Sequence, residues 1–169
     1  MNFSKKYIKY KNISFLACVF FLLACGGGEI SKPEDPDKFL TPLALPQTGW
    51  GRSSSGGSNF GAISIQTRSG GGNIWVKIVE AYGSSKDAAV FFIRAGDSYK
   101  INLPYGTYRI KMASGDKWYG AKHLFGSKTS YSVADDTFPI TSIGDSWTVQ
   151  LIPQANGNLR EKSISAGEF

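Results

Sequence analysis

Tyr99-Lys100-Ile101-Asn102-Leu103-Pro104-Tyr105-Gly106-Thr107-Tyr108-Arg109-Ile110-Lys111-Met112 alternates apolar and polar side chains on both sides of a Pro-Tyr-Gly break. A period of two puts one set of side chains on each face of an extended chain. The stretch therefore reads as two half-buried strands joined by a turn. Pro104 ends the first strand because it offers no N–H to a ladder. Gly106 is expected to take a positive φ in the turn, and Tyr108 is expected to return to the core face.

The same period recurs on either side. Ile74, Val76 and Ile78 alternate with Trp75, Lys77 and Val79, and Trp147, Val149 and Leu151 alternate with Thr148 and Gln150. Ala88 to Arg94 is almost continuously apolar, which suits a central strand covered on both faces. Turn signals separate the runs at Gly70-Gly71-Gly72-Asn73, Gly83-Ser84-Ser85, Ala95-Gly96-Asp97, Ser114-Gly115-Asp116 and Gly144-Asp145. No stretch carries a helical stripe. The expectation is an all-β chain folding as a single Greek-key-type β-sandwich over residues 59–169. About 110 residues suffice for one core, burying roughly two-thirds of the unfolded surface.

Residues 1–24 read differently. Lys5, Lys6, Lys9 and Lys11 precede Ile13 to Ala24, apolar except for Ser14. A basic start, a short apolar run and a small residue at the cut describe a secretory signal peptide. The run is far short of the ~20 residues of a spanning helix. The chain holds 19 basic and 13 acidic residues, net +6; without those four lysines it holds 15 and 13, net +2. The basic balance belongs to the targeting segment and gives no case for nucleic acid as a partner. Of two cysteines, Cys18 falls in the signal and Cys25 at its end, so no disulfide and no cysteine-ligated metal is expected. Residues 25–58 read as a tether, with Gly26-Gly27-Gly28, Pro33, Pro36, Pro42, Pro46 and Ser53-Ser54-Ser55-Gly56-Gly57-Ser58. A short apolar patch within it, Phe39-Leu40 with Leu43 and Leu45, is expected to dock on the domain.

Leu22-Leu23-Ala24-Cys25 resembles the lipobox of bacterial lipoproteins. The resemblance implies cleavage before Cys25, a lipid on its sulfur and a cell-envelope location. Two or three acyl chains are what stable anchoring needs, at ~0.8 kcal/mol per buried CH₂. Gly26 rather than Asp after the cysteine implies the outer membrane of a Gram-negative bacterium. Ala95 to Lys111 resembles a recurrent hairpin of prealbumin-like, carboxypeptidase-regulatory-like β-sandwiches, through its Pro-x-Gly-Thr-Tyr turn. Gly106 to Phe169 resembles an uncharacterised bacterial module of exported or membrane-attached proteins. The matching residues are Trp118-Tyr119-Gly120, Leu124-Phe125-Gly126, Asp135-Asp136-Thr137-Phe138, Gly157-Asn158-Leu159 and Glu168-Phe169. Both resemblances speak to fold and class and carry over no catalytic residue.

Chemistry-bearing residues are sparse. His123 is the single histidine, too few for a multi-histidine metal site, and no nucleophile elbow accompanies it. Asp135-Asp136 with Asp116 supply oxygen, but without the alternating donors of a calcium loop. Glu80, Asp87 and Asp97 form no carboxylate pair. The densest aromatic feature is Trp118, Tyr119, Phe125, Tyr131 and Phe138, flanked by Lys117, Lys122 and Lys128. Its first reading is packing at one end of the sandwich. Its second is a recognition platform for glycan or protein built from Trp118, Tyr119, Lys122, Phe125 and Tyr131. The expected function is thus a non-enzymatic, lipid-anchored binding or accessory module without cofactor or metal, with partners in the membrane and among envelope proteins or glycans. A structural role in an envelope assembly is the alternative, and an envelope hydrolase a third.

Overall fold

Among the described residues, 34–53, 60–83, 86–151 and 159–169, the computed structural model forms ten strands, no α-helix and one 3₁₀ turn at Gly126–Lys128. The expected signal, Cys25 and residues 54–58 of the expected tether lie outside them. The larger sheet runs β1 (Gly51–Ser53), β4 (Asp87–Ile93), β3 (Asn73–Glu80), β6 (Gly106–Gly115), β7 (Ser130–Ala134) and β10 (Glu161–Ser163). A short β8 (Phe138–Ile140) pairs with the start of β6, beyond the stretch that β7 occupies. The smaller sheet runs β5 (Ser98–Pro104), β2 (Phe60–Thr67) and β9 (Ser146–Leu151). All pairs are antiparallel except β2 with β9. The chain leaves β4 for the smaller sheet and returns as β6 beside β3, a Greek-key path.

The period of two explains the two layers. Ile74, Val76 and Ile78 of β3, with Ile110 and Met112 of β6, face Ile63 and Ile65 of β2, Ile101 and Leu103 of β5 and Val149 of β9. The opposite face of the larger sheet is also covered. There Trp75, Val90, Phe92 and Ala113 pack with Trp118, Leu124 and Phe125 from the β6–β7 connection. That second layer accounts for the continuous apolar run in β4, whose Phe91 faces one cluster and Phe92 the other.

The expected hairpin at Pro104–Gly106 is corrected. β5 pairs along its length with β2, from Phe60 opposite Pro104 to Gln66 opposite Ser98. β6 pairs with β3, from Asn73 opposite Gly115 to Glu80 opposite Tyr108. At Tyr105 the chain therefore crosses from one sheet to the other, and the inward residues of β5 and β6 meet across the core. The bend is held by Tyr108, whose hydroxyl donates to the Pro104 carbonyl at 2.9 Å. Burial, then the Glu80 charge, raises that phenol's pKa, so it stays a donor. Gly106 is not at positive φ. Its requirement is space, since a Cβ there would lie 3.1 Å from the Tyr108 hydroxyl.

The sandwich also begins before residue 59. Glu34–Ser53 lies on it as a strap that ends in β1. The Asp37 carboxylate accepts from the Ser127 N–H at 2.8 Å and the Ser127 hydroxyl at 2.9 Å. Leu43 bridges to Trp118, its N–H donating at 2.8 Å. Arg94 donates from Nε to the Pro46 carbonyl and from Nη2 to the Leu45 carbonyl, both at 2.7 Å. Gly49 N–H then donates to Phe92, and Phe92 N–H to Trp50, before β1 joins β4. Of the expected docking patch, Leu45 packs on the second cluster, Leu43 is bridged yet exposed, and Phe39 is exposed.

Candidate functional site

The register of the strands sorts the connections into two ends. At one end lie the β2–β3, β4–β5 and β6–β7 connections and the strap's start at Asp37. At the other, the tip, lie the β3–β4, β5–β6 and β8–β9 connections and the first residue of β2. Three contacts tie the tip together: Phe60 sits opposite Pro104, Gly106 opposite Ile140, and Ala62 opposite Ser146.

The residues expected to form a recognition platform sit at the strap end and do not make an open face. Trp118 and Phe125 are 3% and 2% exposed and belong to the second core. Trp118 lies 5.1 Å from Phe92 and 5.4 Å from both Trp75 and Phe125, centroid to centroid. Those two platform residues are corrected to core, because the strap and the outer face of β4 leave them no solvent side. Tyr131 is half-buried and packs on Phe169 at 5.3 Å. Tyr119 is half-buried, and its N–H donates to the Leu124 carbonyl at 2.7 Å. Lys122 is exposed, as is His123. The cavity beside Tyr119, Lys117 and Lys128 holds about 170 Å³, below the ~300–1,000 Å³ usual for ligand pockets. Phe138, the remaining ring of that group, is core at the tip. Among the described residues no three His, Cys, Asp or Glu side chains are grouped to hold a metal ion.

Exposed apolar side chains gather at the tip instead. Of the eight large ones exposed among the described residues, Phe39, Leu43 and Trp50 belong to the strap. The other five, Phe60, Tyr82, Tyr105, Ile143 and Trp147, belong to the tip. Tyr82 and Ile143 are the most open, at 74% and 71%. Trp147 is held by its indole N–H donating to the Pro139 carbonyl at 2.7 Å and by an edge contact with Phe138 at 5.8 Å.

The loop presenting Ile143 is rigidified by one carboxylate. Asp145 accepts from the Thr141 and Ser142 N–H groups at 2.7 and 2.9 Å and from both their hydroxyls. Those bonds, led by the Thr141 N–H, lower its pKa to about 2. The charge is thereby turned into its own loop. Thr141 to Gly144 and Tyr105 to Thr107 carry no other charged side chain. Charge at the tip is confined to the β3–β4 side, where exposed Glu80 and Lys86 and the Arg52–Asp87 pair flank Tyr82. The Tyr105 and Ile143 turns present apolar side chains, as the centre of a protein–protein interface does.

Sequence reasoning missed these five as a group. The available signal was a large apolar residue inside a turn, as in Tyr82-Gly83, Pro104-Tyr105-Gly106 and Ser142-Ile143-Gly144. Turns normally take small or polar residues. No protein-family model, curated protein or solved structure matches the chain.

Proposed function

We propose that the protein is a lipid-anchored cell-envelope binding module, held through Cys25 and built on a prealbumin-like sandwich, whose tip docks a partner protein of the envelope. The observation that carries the reading is the gathering of Phe60, Tyr82, Tyr105, Ile143 and Trp147 at one end. Aromatic anchors on a rigid scaffold are the usual energetic centre of a protein interface. The course of the chain supports the orientation. The described chain starts at Glu34, and three residues on Asp37 is bonded to Ser127 at the end opposite the tip. The eight residues 26–33 span at most about 28 Å when fully extended. An anchor at Cys25 then holds the strap end toward the membrane and turns the tip away from it. The Gly26 position favours the outer membrane, and the reading assigns no catalytic role to His123.

The test is a photo-crosslinking residue in place of Ile143 in intact cells. The expected product is one dominant adduct with an envelope protein, its yield reduced about tenfold by Tyr82→Ser, which removes the most exposed anchor of the tip. Adducts only with glycan or lipid overturn the choice of partner. The same adduct formed from position Lys122 overturns the choice of surface.

A further inference from the structure

On the outer face of the larger sheet, cations stand side by side. Lys77 of β3 is directly opposite Lys111 of β6, and Lys111 is opposite Val133 of β7, which is opposite Lys162 of β10. Arg109 lies two residues along β6 on the same face. Like charges directly opposite each other oppose strand pairing, so this arrangement calls for compensating negative charge. The chain supplies part of it. Lys77 donates to the Phe169 carbonyl at 3.1 Å and covers the Phe169 ring, and Lys111 donates to the Glu168 carbonyl at 2.5 Å. The Glu168 carboxylate is turned to the Ser165 N–H and hydroxyl, both at 2.8 Å.

Arg109 and Lys162 remain, Lys162 close enough to the Glu168 carboxylate to help hold its pKa low. Neither forms an ion pair among the described residues. The Arg109 Nε is buried and has no hydrogen-bond partner among the described residues. Both side chains line an open cavity of about 400 Å³ with Lys111, Asp135 and Glu168. A buried, unmatched guanidinium N–H is costly and rare in folded proteins. Its fork geometry matches an anion with two oxygens in one plane.

We infer that this cavity is an anion-binding site, with Arg109 holding a carboxylate or phosphate group and Lys162 closing over it. Asp135 and Glu168 among its lining residues favour a single anionic group over a polyanion. The site lies on the sheet face, apart from the tip, so it stands or falls independently of the docking proposal.

The test titrates the full chain in detergent, in separate experiments, with inorganic phosphate and with glutarate. Calorimetry measures affinity, and the Arg109 Nε–H signal in nitrogen-15 spectra reports place. The expected result is saturable binding of at least one anion with a shift of that signal. Arg109→Lys weakens it about tenfold, the equivalent of one charge-assisted hydrogen bond. Lys162→Ala, on the exposed β10, weakens it as well and carries the test if Arg109→Lys does not fold. Saturation by phosphate alone assigns a phosphate ester as the ligand group, and by glutarate alone a carboxylate. No saturation by either up to about 10 mM, or binding that both variants leave unchanged, overturns the site.

Discussion

Asp145 accepts four hydrogen bonds from two neighbouring residues, and the folded loop holds it ionised down to about pH 2. An unfolded aspartate takes its proton near 3.8. The depressed pKa contributes stability above the unfolded value and loses it as pH falls through the folded one. The melting temperature is therefore expected to fall between about pH 4 and pH 2. Glu168, held low first by the Ser165 N–H, acts in the same direction. The Asp145→Asn variant separates the two: its melting curve, followed by circular dichroism, falls less steeply across that window. Tyr108→Phe deletes only the hydroxyl that clasps Pro104 and is expected to cost about 1 kcal/mol in urea unfolding. Trp118→Ala empties the centre of the second core and is expected to cost about 3–5 kcal/mol. Lys122→Ala, a few residues on but exposed, stays within about 0.5 kcal/mol. If Trp118→Ala were as mild, the ring would not be core.

Strands were the most legible elements, because burial on one face writes itself into the sequence every second residue. β3, β5, β6 and β9 carry that pattern, and β4 carries the unbroken apolar run of a strand covered twice. Period two does not encode which sheet a strand joins. The Pro104–Tyr105–Gly106 turn reads the same for a hairpin and for a crossing, and pairing of β5 with β2 decides it through residues some forty positions away. The strap was hidden for another reason. Its attachments are main-chain groups, a bridge at Leu43, the side chains of Asp37, Thr48 and Arg94, and the packing of Leu45 and Trp50, and none of these imposes a period. Gly, Pro and Ser gave it the composition of a tether. Arg94→Ala removes the two donors that reach Leu45 and Pro46 and is expected to loosen the strap while the sandwich holds. Hydrogen exchange then accelerates at the Leu43 and Gly49 amides and not at Ile63 or Ile101. Acceleration spread across β2 and β5 would show instead that strap and sandwich unfold together.

At the scale of the whole molecule, the two ends differ in kind. The strap end gathers the Gly-rich connections, the buried tryptophans and the start of the described chain. The tip gathers exposed rings on braced turns. Convergence of Phe60, Tyr82, Tyr105, Ile143 and Trp147 comes from strand order and crossing points, which bring together positions spread from the first residue of β2 to the second residue of β9. Each looked like an isolated apolar residue in its own turn or strand, and scattered apolar residues on a surface are ordinary. The aromatic run around Trp118 was conspicuous in sequence for the opposite reason: its rings are neighbours in the chain, although only Trp118 and Phe125 share a core, and that core needs Trp75, Val90, Phe92 and Ala113 of the larger sheet.

Central to the proposed function is an anchor at Cys25 that would hold the strap end to the membrane and present the tip away from it. Fluorescent labels attached in separate variants at Ile143 and at Lys122, with the full chain in native membranes and a lipid-borne quencher added, test it directly. The account expects strong quenching at Lys122 and little at Ile143. Strong quenching at Ile143 would make the tip a membrane-facing surface, and a chain that does not sediment with the membrane would remove the anchor; either result contradicts the account.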